Sequence, residues 1–163
     1  MVYTMMQNLQ ANIALEDLRY IIDNPWSISE VEWRLGDENN KNAMFSYIQE
    51  LLVKTEDEGY SKIWKTESKE PIAILGGYKV GHKKYTTFLI CSHHYDKHVM
   101  KLSFDMRSTL KELSAHFKGY TIGIHSVSPH PSLFTWLRFL GFTHVPEEDR
   151  GDWRYFELTT PTN

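Results

Sequence analysis

The sequence predicts one α/β domain of the α+β kind: a mixed, mostly antiparallel, twisted sheet flanked by helices. Three observations predict it. Pro71 to Val80 and Lys84 to Cys91 are apolar, β-branched runs facing each other across Gly81-His82, the mark of a hairpin. Asp96 to Phe117 carries Leu102, Met106, Leu110 and Leu113 at helical spacing, a long helix laid after that hairpin. Tyr120 to Phe142 then reads as a strand, a sharp turn and a short helix closing on Gly-Phe.

The remaining elements follow in order. Tyr3 to Leu9 is expected as a first strand. Ala14 to Asp23 is expected as a helix with a Leu15, Leu18, Ile22 stripe, early acids and Asn12 as its cap. Asn24-Pro25 ends it, and Ser27 to Leu35 adds a helical turn or two, with Ser29 as cap. Asn40 to Glu56 is a helix with Met44, Ile48, Leu51 and Leu52 on one side, closed at Glu58-Gly59. Ser61 to Thr66 is a strand, and Glu67 to Glu70 is a turn into the hairpin. In the last third, Tyr120 to Val127 is β-branched and aromatic, as strand interiors are. Ser128-Pro129-His130-Pro131 breaks it, Pro131 suiting a first helical position. Leu133, Trp136, Leu137 and Leu140 form one helical face, and Gly141 stops the helix by going left-handed. Thr143 to Val145 restarts a strand, Glu147 to Asp152 is an acidic loop, and Trp153 to Thr159 is the last strand.

Composition narrows the function classes. A chain of 163 residues fits one domain of about 100–200 residues, and 41% hydrophobic content supplies a core. A net charge of −3 argues against direct nucleic-acid binding, which calls for clustered Lys and Arg. The lone Cys91 excludes an internal disulfide and fits a reducing compartment. No signal peptide is expected from MVYTMMQNLQ, and no segment approaches the ~20 apolar residues of a membrane helix.

A helix ending in Leu140-Gly141-Phe142 between two strands, in an overall order β-α-α-β-β-β-α-β-α-β-β, resembles the GNAT N-acetyltransferase superfamily. The resemblance implies a loop of pattern Q/R-x-x-G-x-G/A before the long helix, cradling the pyrophosphate of acetyl-CoA. Laid after Ile90, the pattern puts Tyr95 at the Arg/Gln position and His98 and Met100 at the two glycines. Ile90, Ser92, His98, Val99 and Met100 are thereby the cofactor-facing candidates, with His130 where the family places an asparagine that contacts the pantetheine arm. The tyrosine that the family uses to protonate the departing thiolate is replaced by Leu137. Tyr155 and Tyr120 are other phenols whose spacing places them nowhere in particular.

His125, in a strand where such enzymes place a base, is the catalytic candidate, a structural histidine being the plainer reading. His93, His94 and His98 lie close in sequence, but no further ligand follows at zinc-like spacing, so no metal is expected. Cys91 reads as a buried thiol. The chain is also similar to the GNAT-like proteins of short-tailed bacteriophages, through Phe88 to Ser92, the glycine-free loop and Arg138-Phe139-Leu140-Gly141. That likeness implies a degenerate acyl-CoA site and no cofactor. It also implies a structural role among protein partners in an assembly, a homo-oligomer included, in a virion or the host cytoplasm. Trp26, Trp33 and Trp153 are the expected docking aromatics. The alternative is an acetyl-CoA-dependent N-acetyltransferase acting on an amine, with His125 or a water as base.

Overall fold

The structure is a computed structural model that describes residues 13–127 and 132–159. The expected strand Tyr3 to Leu9, the cap Asn12, and the break at 128–131 with His130 lie outside the described residues.

One sheet organises the rest. Its strands are β1 (Tyr60–Lys65), β2 (Pro71–Gly81), β3 (Lys84–Cys91), β4 (Thr121–Ser126), β5 (Thr143–His144) and β6 (Arg154–Thr159), in the spatial order β1-β2-β3-β4-β6-β5. All neighbours run antiparallel except β3 and β4. The expected hairpin pairs as the sequence implies, Ala73 opposite Cys91 and Lys79 opposite Tyr85. A parallel pair needs a long crossover, and α4 (Tyr95–His116) supplies it.

Helices cover both faces. On one, Leu102, Met106, Leu110 and Leu113 of α4 and Leu133, Leu137 and Leu140 of α5 (Leu133–Leu140) pack with Tyr60, Tyr85, Ile122 and Phe156. The other is covered by α1 (Leu15–Asp23) and α3 (Glu38–Glu58), with the short α2 (Ser27–Glu32) between them in sequence. There Leu18, Ile21, Ile22, Ile48, Leu51 and Leu52 pack with Ile74, Phe88 and Ile90. Burial on both faces is why Ile72 to Leu75 is an unbroken apolar run and not an alternating one. Gly141 ends α5 at φ +110°, and Phe142 folds back, its N–H donating to the Leu137 carbonyl at 2.9 Å.

Several expectations are corrected. Leu15 is 46% exposed and Ile21 takes its place in the core, because the buried arc of α1 runs one residue later than the Leu15, Leu18, Ile22 stripe. Ala14 occupies the cap of α1 and makes no side-chain hydrogen bond. Ser29 does not cap α2, which begins at Ser27; it is buried in that helix. The long helix expected from Asp96 to Phe117 runs from Tyr95 to His116, with His94 in the cap position. Among the described residues no helix is long and apolar enough to cross a membrane.

Candidate active site at the fork between β3 and β4

The parallel strands β3 and β4 pair from Lys84–Thr121 to Thr87–Ile124 and then part. Beyond that point β3 runs on through Phe88 to Cys91 and β4 through His125 and Ser126, so the sheet opens into a fork. Two cavities meet there, both bordered by Leu133 and Trp136 of α5. One, of about 480 Å³, lies between the fork, α2 and α3. The other, of about 540 Å³, lies between α4 and α5.

The first cavity holds the titratable chemistry. Glu32, the last residue of α2, reaches it together with His125 and Ser126 of β4. The Ser126 hydroxyl donates to Glu32 Oε1. Burial pushes the Glu32 carboxyl up from 4.5 to about 7, opposed by the Ser126 hydrogen bond and the Arg154 charge. A carboxyl poised there exchanges protons at neutral pH. His125 is held below the ordinary histidine value, first by burial and then by the Arg150 and Lys84 charges. Its ring lies 4.7 Å from that of Tyr155. His125, the catalytic candidate named from the sequence, is among the residues lining this cavity. Glu32 and Ser126 escape sequence reasoning because they are 94 residues apart and meet only through the fold. The one local hint is an acid inside the tryptophan-flanked segment from Trp26 to Leu35.

Acetyl-CoA would bring an amide-bearing arm, which pairs with an open strand edge, and a pyrophosphate, which seeks free amides at a helix start. Part of each is already paired. The Trp33 indole donates to the Leu89 carbonyl at 3.1 Å. The Cys91 amide donates to Ser29 Oγ at 3.0 Å, and the Cys91 carbonyl accepts the Trp26 amide at 2.9 Å. The segment from Trp26 to Trp33 therefore closes the β3 edge inside the fork. At the start of α4, the amides of Tyr95 and Lys97 donate to the Ser92 and His94 carbonyls at 3.0 and 3.2 Å. The Asp96 carboxylate sits on the same turn, accepting the Trp26 indole at 2.7 Å, and a phosphate there would meet its charge. The rings of Trp26, Tyr95 and Trp136 pack together on the wall of the second cavity, with Trp26 and Tyr95 4.6 Å apart. An arm lying along the β3 edge would have to displace the segment from Trp26 to Trp33.

The cofactor-facing candidates separate accordingly. Ile90 is buried against α1 to α3, and the Ser92 amide donates to the Ile72 carbonyl, so the alternation of the strand turns the groups of Leu89 and Cys91 to the fork in their place. Val99 and Met100 are 40% and 74% exposed and line the second cavity; His98 is half-buried. His130 lies outside the described residues. Cys91 is fully buried, and burial pushes its thiol up. His93 and His94 each bond the Tyr20 hydroxyl, at 3.0 and 2.9 Å. Among the described residues no group of three His, Cys, Asp or Glu side chains is arranged to hold a metal ion. Trp26 and Trp33, expected as docking aromatics, instead pack inward, because their indoles and backbone satisfy the β3 edge and the α4 start. Trp153 alone of the three is exposed, at the cavity rim.

No protein-family model matches the sequence, and no curated protein matches it. Solved structures do. The PaiA N-acetyltransferase of Thermoplasma acidophilum, in complex with coenzyme A, has 13% identity over 91% of this chain and 96% of its own, with a TM-score of 0.58. A phosphinothricin acetyltransferase of the GNAT superfamily from Sinorhizobium meliloti, in complex with AcCoA, has 13% identity over 93% and 89%, with a TM-score of 0.57. A spermidine N-acetyltransferase of Vibrio cholerae has 14% identity over 90% and 92%, with a TM-score of 0.53. The chain thus shares the GNAT fold of these structures, its sheet mostly antiparallel with the parallel pair β3–β4 joined through α4.

Proposed function

We propose that the first cavity binds a primary amine and that the chain performs the acceptor half of an N-acyl transfer, with Glu32 as the base. The observation that carries this is Glu32 itself, a carboxyl raised to about 7 by burial, facing a cavity at the fork of an acetyltransferase fold. An amine enters as an ammonium ion and pairs with the ionised carboxylate. A partly desolvated ammonium loses its proton more readily than in water. The proton passes from nitrogen to the Glu32 carboxylate, leaving a neutral amine whose lone pair would attack a thioester carbonyl carbon, the C–N bond forming as the C–S bond breaks and the departing thiolate taking the nitrogen's second proton. The Ser126 hydroxyl, bonded to Glu32 Oε1, holds the carboxylate in place. His125, kept neutral by burial and neighbouring cations, stands in the same cavity as a second acceptor for that proton.

The closed β3 edge favours a second reading, in which the fold binds its ligand without transferring anything and serves as a module within an assembly, a virion among them. One experiment separates the two. Acetyl-CoA is mixed with the protein and a panel of primary amines, and free thiol release is followed. The transfer reading expects amine-dependent thiol release that falls at least about a hundredfold in Glu32→Gln. Absence of release with every amine, together with no heat of acetyl-CoA binding, defeats it in favour of the binding module.

A further inference from the structure

We infer that the amine this cavity accepts is a monoamine with a flat apolar or aromatic body, and not a polyamine. The inference rests on the amine-binding reading above and adds to it the class of ligand.

Charge decides the first half. Among the described residues that line the cavity, Glu32 is the one carboxylate and Arg34 carries the one guanidinium, while the Arg154 charge acts on Glu32 from outside the lining. A polyamine carries a cation every few methylenes and needs an acid opposite each. Here its second ammonium would meet an arginine, and like charges in a partly desolvated space repel.

The walls decide the second half. Trp33, Tyr47, Tyr78 and Trp153 are among the cavity's lining residues. The Trp33 indole is fixed by its bond to the Leu89 carbonyl, so its ring is a rigid surface. Tyr78 already carries the Lys54 ammonium 5.1 Å from its ring centre, which leaves it as an apolar wall and not as a seat for another cation. Trp153 is 37% exposed at the rim, where an aromatic body entering beneath it would cover its face. A volume of about 480 Å³ exceeds what a small alkylamine fills. Flat rings stacking on indoles use that space best.

The test is calorimetric titration of the full chain with four probes: 2-phenylethylamine, propylamine, spermidine and the uncharged 2-phenylethanol. Phenylethylamine is expected to bind at least tenfold more tightly than either spermidine or phenylethanol. Trp153→Ala, a change at a partly exposed lining position, is expected to remove most of the advantage of phenylethylamine over propylamine. Spermidine binding as tightly as phenylethylamine overturns the inference, as does phenylethanol matching the amine or no binding by any probe. The unmodified protein alone decides these outcomes, whatever the folding of the variant. Phenylethylamine binding without acyl transfer removes the transfer reading and leaves this inference standing. Transfer that prefers spermidine does the reverse.

Discussion

The Cys91 amide donates its hydrogen to Ser29 Oγ at 3.0 Å, a bond between a strand end and a helix 62 residues earlier in the chain. Both residues are buried, Cys91 completely and Ser29 at 4% exposure. The bond gives a partner to an amide that the parting of β4 leaves alone. Ser29→Ala strands that amide and is expected to destabilise the protein by about 1–3 kcal/mol. Urea unfolding followed by circular dichroism measures it, and a change under about 0.5 kcal/mol would mean the edge finds another partner.

Closure of the β3 edge also predicts a cofactor effect. With Trp26 and Trp33 both changed to alanine, the Leu89 carbonyl and the start of α4 lose their indole partners. Acetyl-CoA binding by this double variant is expected to exceed that of the parent by tenfold or more in calorimetry. Equal binding by the two proteins would show that the edge is not what excludes the arm.

Trp136 tests the packing of α5. Its ring meets Trp26 and Tyr95, and its indole donates to Ser103 Oγ at 3.0 Å. The side chain is only partly buried, so Trp136→Ala is expected at the low end of the range for large aromatic truncations, about 3 kcal/mol. Thermal melting of the variant measures the loss; a value typical of surface changes would contradict the packing.

The sheet and its helices were legible because their signals are local. The hairpin from Pro71 to Cys91, the α4 stripe of Leu102, Met106, Leu110 and Leu113, and the Gly141 stop each need only neighbours in sequence. The site was less legible because it is assembled from distant parts. His125 could be picked out by its residue type and strand. Glu32 could not, since nothing near it in sequence tells that Ser126 will be its partner. The inward packing of Trp26 and Trp33 was hidden for the same reason: their partners, Asp96 and Leu89, lie 70 and 56 residues away. Which backbone groups turn to the fork depends on strand register, Leu89 and Cys91 facing it while Ile90 and Ser92, the cofactor candidates, alternate with them.

Glu32 makes stability depend on pH in a defined sense. Its carboxyl titrates near 4.5 when unfolded and about 7 when folded, so the folded protein binds the extra proton between those values. Stability is therefore full below about pH 4.5, falls as pH rises toward 7 and levels off above it. Glu32→Gln, which cannot ionise, is expected to stabilise the protein above pH 7 by up to about 3 kcal/mol and to have little effect near pH 4. Melting temperatures of both proteins across that span give the comparison. A constant difference between them would show that Glu32 titrates normally.

The central claim is that Glu32 in its ionised form holds an amine at the fork. The charged groups around the carboxyl are Arg154 on β6 and Arg34 after α2, with Ser126 and His125 on β4. The most direct measurement is calorimetric binding of 2-phenylethylamine at pH 6 and pH 8, to the unmodified protein and to Glu32→Gln. A carboxyl with a pKa of about 7 is roughly ten times more ionised at the higher pH, so the unmodified protein is predicted to bind about tenfold more tightly there. Glu32→Gln is predicted to bind weakly and equally at both. Binding that is the same at pH 6 and pH 8, or that survives unchanged in Glu32→Gln, would contradict the account.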